Sequence, residues 1–319
     1  MSPNVATHTP SARSRTRSAT LALPEAHPGA LRAGKQAAAT ELREWSFAML
    51  SDRGRLRHGN EDACGARREL GAVVVCDGMG GAAGGEVAST LAVETFLGSL
   101  AGGHSGNGRE SNGRGPNGHG LGGRRPDARE RVEKAVCAAN HAVYQRAQRT
   151  RGLRGMGTTL VAVLVEDEVA SGRAASGRAT ICLAHVGDSR CYRLRGGVLE
   201  LLTEDHSLVE EQVRAGLLNR VQASVSPIRN IITRAIGSLA KVEVEIERHA
   251  TEPGDLYLLA SDGLTRELED SEIAGILKRE TGGEDTGESM LGAACQALVD
   301  AANAHGGGDN ITVALVWVA

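Results

Sequence analysis

Two long apolar segments of this chain each run into an Asp-Gly dipeptide. The first is AVVVCDG, which ends at Asp77-Gly78, and the second is DLYLLASDG, which ends at Asp262-Gly263. Short continuous runs of Val and Leu are typical of buried strands. A carboxylate at the end of a buried strand, beside a residue without a side chain, is well placed to bind a hard metal ion. The pattern therefore predicts that two strands deliver carboxylates to a common site.

Two further acidic segments flank these strands along the chain. Glu61-Asp62 lies upstream in RHGNEDA, and Asp309-Asn310 lies downstream in GGGDNITVALVWV. We expect these groups to converge with the first pair at one edge of a sheet. Carboxylate oxygens are the donors that Mg²⁺, Ca²⁺ and Mn²⁺ prefer. The sequence thus predicts a carboxylate-lined site for divalent metal ions.

The composition restricts both the core and the ligands. Of 319 residues, 41% are hydrophobic, which is enough for a globular core. Two Trp, three Tyr and two Phe leave few rings on which nucleobases can stack, so we expect no nucleic-acid partner. The net charge of -3 gives no reason to expect a polyanionic partner either. No apolar stretch approaches the roughly 18 residues that span a bilayer, so we expect no membrane partner.

The six cysteines are scattered along the chain without a C-x-x-C pair. Several of them stand inside apolar runs such as VVVCD and TICLAHV, where a cysteine acts as a small core residue. Unpaired cysteines of this kind are typical of a reducing compartment. The sequence therefore predicts a cytoplasmic location.

Two segments differ in composition from the rest of the chain. Residues 1–43 carry four of the eight prolines and show no sustained hydrophobic period, which favours a flexible N-terminal extension. Residues 102–123 contain ten glycines, and such a segment buries too little apolar surface to offset its ordering entropy. We predict one domain over residues 44–319, interrupted by this Gly-rich insertion.

The order of predicted elements indicates the fold class. Helical patterns cluster in residues 84–149 and 270–304, while strand patterns cluster between these blocks, apart from a short helix predicted to end at Gly216, and at the two ends of the domain. Gly-rich or polar breaks such as EDEVASGRAASG and RGG favour hairpins in a meander. We therefore predict an α+β fold in which two antiparallel β-sheets pack face to face with helices on both sides, a four-layer αββα sandwich.

Eight segments in a fixed order resemble a known family. They are SDRGRLRHGNEDA, VVCDGMGG, GMGTTLVAV, AHVGDSRCYRL, LTEDHSLV, SPIRNIITRAIG, ASDGL and GGGDNITV. They lie between residues 51 and 313, within a resemblance over residues 46–318, and are similar to bacterial metal-dependent protein phosphatases of the protein phosphatase 2C type. Any one segment is weak evidence, because Asp-Gly is a common turn dipeptide, but eight in order make chance similarity very improbable.

The resemblance implies a site with two ions of Mn²⁺ or Mg²⁺. Asp77 would bridge the two ions, Asp262 and Asp309 would complete the shell of one, and the carbonyl of Gly78 would join the other. Phosphate monoester hydrolysis needs an activated water and neutralised phosphoryl oxygens, which paired divalent ions supply. The residue chemistry and the resemblance therefore agree.

The resemblance also assigns the residues around these ions. Glu61 and Asp62 would hold and orient the waters of the second ion, and Arg57 would bind the phosphate through its planar fork. A solvated loop arginine is the alternative for Arg57. We expect Asn310 to fix the loop that carries Asp309.

Asp188 and Arg266 concern a third ion. Asp188, in GDSR, matches a third-metal ligand of bacterial relatives, and a turn aspartate that bonds backbone amides is an equal alternative. Arg266 stands where relatives often carry an acid, so we expect a third ion to bind poorly or not at all. The loop DGMGGAAGGE also contains no histidine, which leaves the proton donor to the leaving group unassigned.

The resemblance implies hydrolysis of phosphoserine and phosphothreonine in proteins, in opposition to a Ser/Thr protein kinase, by a chain that we expect to be a monomer. Residues 217–230 match the flap beside the active site of bacterial relatives. Two alternatives remain open at this point. One is a non-catalytic binding module of the same fold, and the other is a phosphatase that acts on an anti-sigma-factor antagonist.

Overall fold

The structure is a computed structural model that describes residues 45–80, 84–102, 127–167, 179–283 and 287–319. The predicted extension over residues 1–43 lies outside these ranges, as does the predicted insertion over 102–123 except for Gly102. Both therefore stay predictions. Within the described ranges, helices long and apolar enough to cross a membrane are absent.

The described residues form eleven strands and seven α-helices. In chain order they are β1 (Trp45–Asp52), β2 (Asp62–Arg67), β3 (Ala72–Met79), α1 (Gly84–Gly102), α2 (Ala128–Arg149), β4 (Gly157–Thr158), β5 (Leu160–Asp167), β6 (Ala179–Val186), β7 (Arg190–Arg195), β8 (Val198–Leu201), α3 (Leu208–Arg214), α4 (Arg220–Ser224), β9 (Glu245–Ala250), β10 (Leu256–Ala260), α5 (Asp262–Thr265), α6 (Asp270–Thr281), α7 (Glu288–His305) and β11 (Ile311–Val318).

Two antiparallel sheets organise these strands. The first sheet has the order β1-β11-β10-β7-β8, and the second has the order β2-β3-β5-β6-β9, with β4 paired to β3. The predicted hairpins are confirmed, because β5 pairs with β6 and β7 pairs with β8. The prediction of one meander is wrong, because the chain passes from the second sheet to the first between β6 and β7. That passage consists of Gly187, Asp188 and Ser189.

Burial on both faces explains why the central strands are apolar throughout. In β3, Val73 and Val75 belong to the core between the two sheets, whereas Val74 and Cys76 belong to the core beneath α1 and α2. Successive residues of a strand point to opposite faces, so a strand between two apolar layers has no polar side. This arrangement confirms the predicted four-layer sandwich.

The outer layers are helical. Helices α1 and α2 cover the second sheet, and α6 and α7 cover the first. Asp127 caps α2 by accepting from the backbone N–H of Glu130, whose own side chain returns to the N–H of Asp127. The apolar stripe predicted for α2 is buried over its length, at Val132, Ala135, Val136, Ala139 and Val143.

Three local predictions differ from the structure. Asp77-Gly78 lies at the end of β3 as predicted, whereas Asp262, predicted at a strand end, opens the short helix α5 two residues after β10 ends. The segment NIITRAIG, predicted to be strand-like, forms only isolated bridges at Ile232 and Ile236. Residues 217–230, predicted to be irregular, include α4.

Replacement of Leu259 by alanine tests the packing between the two sheets. Leu259 is fully buried in the core between the sheets. Loss of a buried leucine side chain leaves a cavity, so we expect Leu259→Ala to lower the free energy of unfolding by about 2–5 kcal/mol. Urea denaturation followed by circular dichroism measures this change. Leu217→Ala is the control, since Leu217 is exposed, and equal losses in the two variants would contradict the layer assignment.

Candidate metal centre

Eight of the nine predicted site residues line one pocket of about 280 Å³. They are Arg57, Glu61, Asp77, Gly78, Asp188, Asp262, Asp309 and Asn310. The acidic members come from β3, from α5, from the passage between the sheets and from the loops before β2 and β11. Residues far apart in sequence therefore converge as predicted.

The backbone of Asp77 is fixed by two threonines, Thr158 at the end of β4 and Thr159 between β4 and β5. The amide of Asp77 donates to Thr159 Oγ1 at 2.9 Å, and its carbonyl accepts from Thr159 N and from Thr158 Oγ1, both at 2.8 Å. Thr159 Oγ1 also lies 2.7 Å from Ser189 Oγ. The Asp77 carboxylate is thus held at the pocket by a backbone with little freedom.

Gly78 lies at a point where three backbones meet. Its amide donates to the Glu61 carbonyl at 3.1 Å. A Cβ at this position would lie 2.2 Å from the carbonyl oxygen of Gly85 and 2.4 Å from that of Glu61. Only glycine therefore allows β3, the N-terminus of α1 and the Glu61 segment to approach so closely.

Gly263, of the pair Asp262-Gly263, makes a comparably close contact with the Asp309-Asn310 segment. A Cβ on Gly263 would lie 2.0 Å from the carbonyl oxygen of Asn310. The absence of that atom lets the first turn of α5 pack directly on Asp309-Asn310, which brings Asp262 beside Asp309. Asp262 is only 8% exposed, and its Oδ1 atom has no hydrogen-bond partner within the described part of the chain.

Asn310 supports a different loop from the one that we expected. Its Oδ1 atom accepts from the amide of Glu61 at 2.8 Å, and its Nδ2 atom donates to the carbonyls of Arg53 and Gly59 at 2.9 Å each. The side chain therefore fixes the segment that carries Arg57 and Glu61. Asp309 contacts Asn310 only through the Asn310 amide, which donates to Asp309 Oδ1 at 2.8 Å.

Asp62 is the one predicted residue that does not line the pocket. It faces Asp77 across the β2–β3 pair, and its Oδ2 atom accepts from Ser261 Oγ at 2.8 Å. Burial raises the pKa of Asp62 to about 7, although hydrogen bonds from Thr312 and Ser261 act in the opposite direction. Asp62 thus lies behind the pocket wall, next to the residues that line it.

Asp188 stands in the passage between the two sheets and is supported by a histidine. The imidazole Nδ1 of His206 accepts from the Gly187 amide at 3.1 Å, and the His206 amide donates to the Gly187 carbonyl at 2.9 Å. His206 Nε2 lies 3.0 Å from Glu245 Oε1. These contacts were not predicted from the sequence, because nothing in LTEDHSLV points to Glu245, which lies in β9.

The group formed by His185, His206 and Glu245 brings its donor atoms within 4.8 Å of one another. Because His206 Nδ1 accepts a hydrogen bond, the proton of the neutral ring is on Nε2, which faces Glu245. A protonated nitrogen does not bind a metal. Arg234 Nη1 also donates to Glu245 Oε1 at 3.0 Å. The group is therefore a hydrogen-bonded support for the Gly187–Asp188 passage.

The carboxylates of the pocket are close enough to oppose each other's ionisation. Burial, followed by the negative charge of Asp62, holds the pKa of Asp77 well above its usual range. Burial and the charge of Asp77 do the same to the pKa of Asp262. Burial also raises the pKa of Asp188 and of Glu61. Full ionisation of this group requires compensating positive charge.

Two arginines provide part of that charge. Arg57 Nη2 contacts Asp309 Oδ2 at 2.7 Å, and Arg266 Nη1 contacts the same oxygen at 3.2 Å. Arg266 also forms an ion pair with Asp262 Oδ2. The charge of Arg266 lowers the pKa of Asp77, opposing the larger effect of burial. With the two guanidinium groups in contact with Asp309, the acidic members of the pocket still exceed the basic ones.

The donor set fits divalent ions with a preference for oxygen. The acidic groups offer only oxygen donors, which favours Mg²⁺ or Mn²⁺ over zinc. The buried Oδ1 atom of Asp262, which has no partner within the described residues, lines the same pocket as Asp77 and Asp309. A buried carboxylate oxygen without a donor is costly unless a cation binds it.

Comparison with known proteins identifies the family of this chain. The sequence profile of the family Protein phosphatase 2C matches residues 56–285. The serine/threonine phosphatase stp of Listeria innocua is 34% identical over 269 residues, which are 83% of this chain and 93% of that protein. This chain belongs to the protein phosphatase 2C family. The family resemblance seen in the sequence is therefore confirmed.

Solved structures of serine/threonine phosphatases share the fold. The serine/threonine phosphatase PstP/Ppp of Mycobacterium tuberculosis superposes with a TM-score of 0.67 at 31% identity, over 86% of this chain and 98% of that one. The catalytic domain of PstP in complex with two manganese ions gives a TM-score of 0.65, also at 31% identity and with the same coverage. The predicted fold class is thus confirmed.

Replacement of Gly263 by alanine tests the close approach of α5 to Asp309-Asn310. A Cβ would overlap the Asn310 carbonyl, so we expect Gly263→Ala to separate Asp262 from Asp309 and to weaken Mn²⁺ binding by at least about tenfold, a loss of roughly 1.4 kcal/mol. Isothermal titration calorimetry measures the affinity. Gly275→Ala is the control, because nothing lies within 4 Å of a Cβ at Gly275 in α6. Equal affinities in the two variants would contradict the assignment.

Metal binding is expected to release protons. Burial raises the pKa of Asp62 to about 7 and that of Asp77 well above its usual range, so a divalent ion has to displace protons from this group at neutral pH. The affinity for Mn²⁺ should therefore fall as the pH is lowered. Calorimetry in buffers of different ionisation enthalpy measures the release directly. The same heat of binding in every buffer would contradict this electrostatic account.

Proposed function

We propose that this protein hydrolyses phosphoserine and phosphothreonine in other proteins by means of two divalent ions, Mn²⁺ or Mg²⁺. As a member of the protein phosphatase 2C family it is a protein serine/threonine phosphatase. The observation that carries the two-ion proposal is the convergence of Asp77, Asp262 and Asp309 on one pocket, where the buried Asp262 Oδ1 has no partner among the described residues.

The same residues would hold the two ions. Asp77 would contact both, with Asp262 and Asp309 on one side and Gly78 on the other. Divalent ions, when bound, polarise phosphoryl oxygens and lower the pKa of water. The protein has to hold the carboxylates in place. Hydrogen bonds between the Asp77 backbone and both Thr158 and Thr159 do this for Asp77 without substrate.

Glu61 and Asp62 would act at different distances from the reaction. Glu61 lines the pocket and is suited to orient water near the second ion. Asp62 accepts from Ser261, and Ser261 Oγ in turn accepts from the amide of Thr312 at 2.9 Å. Asp62 therefore connects β2 to β11 and the start of α5, and we assign it a positioning role.

Arg57 is assigned to the phosphate. Its side chain is 47% exposed, and it reaches the pocket from the loop before β2, where Asn310 fixes the backbone. A guanidinium can donate two parallel hydrogen bonds to phosphoryl oxygens. Its present contact with Asp309 Oδ2 orients the planar group toward the carboxylates, beside which the phosphate of the substrate would bind.

The cellular setting follows from the chemistry. Phosphorylated proteins are the substrates of a protein phosphatase, and we propose that a Ser/Thr kinase of the same cell supplies them. The cytoplasmic location, the monomeric state and the flap role of residues 217–230 stay predictions. Asn230 and Ile232 line the pocket, which is consistent with a flap that influences substrate access.

Replacement of Asp77 by asparagine tests the proposed function. We expect Asp77→Asn to abolish Mn²⁺-dependent hydrolysis of p-nitrophenyl phosphate and of phosphothreonine peptides, because the bridging carboxylate is lost. Release of phosphate measures the activity. Asp300→Asn is the control, since Asp300 is exposed on α7 and accepts a hydrogen bond from Gln296 of the same helix. Full activity of the wild-type protein in excess chelator would contradict a metal-dependent mechanism.

Metal binding also separates the enzyme from the non-catalytic binding module. A phosphatase of this kind is expected to bind Mn²⁺ at millimolar concentration or below. If calorimetry detects no binding under those conditions and no phosphate is released, the binding module becomes the better account. The presence of every predicted acidic residue in or beside one pocket supports the enzyme.

A further inference from the structure

Arg266 lies one helical turn after Asp262 and enters the acidic pocket. It follows α5 directly, and its amide donates to the Asp262 carbonyl at 2.8 Å, which places the two side chains on the same face. The guanidinium contacts Asp262 Oδ2 through one nitrogen and Asp309 Oδ2 through another. About a third of the Arg266 side chain is exposed, so it reaches the carboxylates from the open side of the pocket.

The two carboxylates that Arg266 contacts are the ones proposed to hold a divalent ion. Oxygens of Asp262 and Asp309 are proposed to complete the shell of one ion, and Arg266 bonds one oxygen of each. A guanidinium stays charged at every accessible pH and cannot leave by losing a proton. An ion that binds both carboxylates through those oxygens therefore has to displace the arginine.

We propose that Arg266 is a tethered cation that competes with the divalent ion for Asp262 and Asp309 and thereby sets the metal affinity of the centre. The proposal rests on the proposed function only in so far as the competing ion binds these two carboxylates. It goes beyond that function, since it assigns to one residue of this chain control over how tightly metal is bound.

Removal of the arginine is expected to have opposite effects in two conditions. With metal removed by a chelator, Arg266 is the cation that partners Asp262, so its loss leaves the buried Asp262 carboxylate without its paired charge and lowers stability. With metal present, the ion provides the charge, and the loss of a competitor favours its binding. A residue that served only as a structural ion pair would lower stability equally in both conditions.

The other arginine on Asp309 acts differently. Arg57 bonds Asp309 Oδ2 but makes no described contact with Asp262, and it comes from the loop before β2. It can turn toward a phosphate while Asp309 stays in place. Arg266 bonds both acidic residues and is anchored to the same short helix as one of them, so competition is specific to Arg266.

The experiment compares Mn²⁺ binding by chelator-treated wild-type protein, Arg266→Gln and Arg279→Gln, measured by isothermal titration calorimetry. Arg279→Gln removes the same charge from α6, where Arg279 bonds the neighbouring Glu280 outside the pocket. We expect Arg266→Gln to bind Mn²⁺ at least about fivefold more tightly than the wild type, the lower end of usual coupling between two ligands. Arg279→Gln should bind like the wild type.

Thermal unfolding of the same proteins gives the second readout. In chelator, Arg266→Gln should melt below the wild type, and saturating Mn²⁺ should remove or reverse the difference. Arg266→Lys keeps the positive charge, so we expect it to fold without metal. It should bind Mn²⁺ with an affinity between those of the wild type and Arg266→Gln. It thus remains informative if Arg266→Gln does not fold without metal.

The outcomes separate this proposal from the proposed function. Unchanged or weaker Mn²⁺ binding in Arg266→Gln, or an equal loss of melting temperature with and without Mn²⁺, would overturn the competition. A wild-type protein that binds Mn²⁺ but releases no phosphate would overturn the proposed function alone. A centre that binds no Mn²⁺ in any variant would overturn both.

Discussion

The burial of several carboxylates in one pocket is the constraint on which this structure depends. Asp188 and Asp262 are nearly inaccessible to water and Asp77 is half-buried, and the cost of removing a charge from water is large unless an opposite charge is near. Neither sheet by itself requires this arrangement. The apolar core between the sheets and the two helical layers stabilise a fold that can tolerate it, and divalent ions are the charges that best match an all-oxygen donor set.

The two sheets contribute different residues to the site. The second sheet contributes Asp77 from β3, with its backbone fixed by the threonines of the β4–β5 segment. The loops and short helix at the edge of the first sheet contribute Asp262 and Asp309, which approach each other because Gly263 has no side chain. Asp188 comes from the passage that joins the sheets. The relative positions of these carboxylates therefore depend on how the two sheets pack.

Much of the fold and most of the site were predictable from the sequence, because both leave local signals. The apolar runs around Asp77 and Asp262 and the stripe that begins at Val132 each follow from periodicity, and Asp-Gly marks the places of close approach. The contacts of Asn310 with Arg53, Gly59 and Glu61 left no such signal. Nor did the support of Gly187 by His206. Those contacts join segments far apart in sequence, and the direction of a side chain there depends on how the sheets and loops finally pack.

We propose that paired divalent ions bind between Asp77, Asp262 and Asp309. Diffraction from Mn²⁺-soaked crystals at the manganese absorption edge tests it most directly, because anomalous scattering locates manganese without reference to the protein. We expect two anomalous peaks in the pocket beside the Asp77 carboxylate, one of them also beside Asp262 and Asp309, with the Arg266 guanidinium displaced from these two carboxylates. Anomalous maps with no peak beside Asp77 would contradict it.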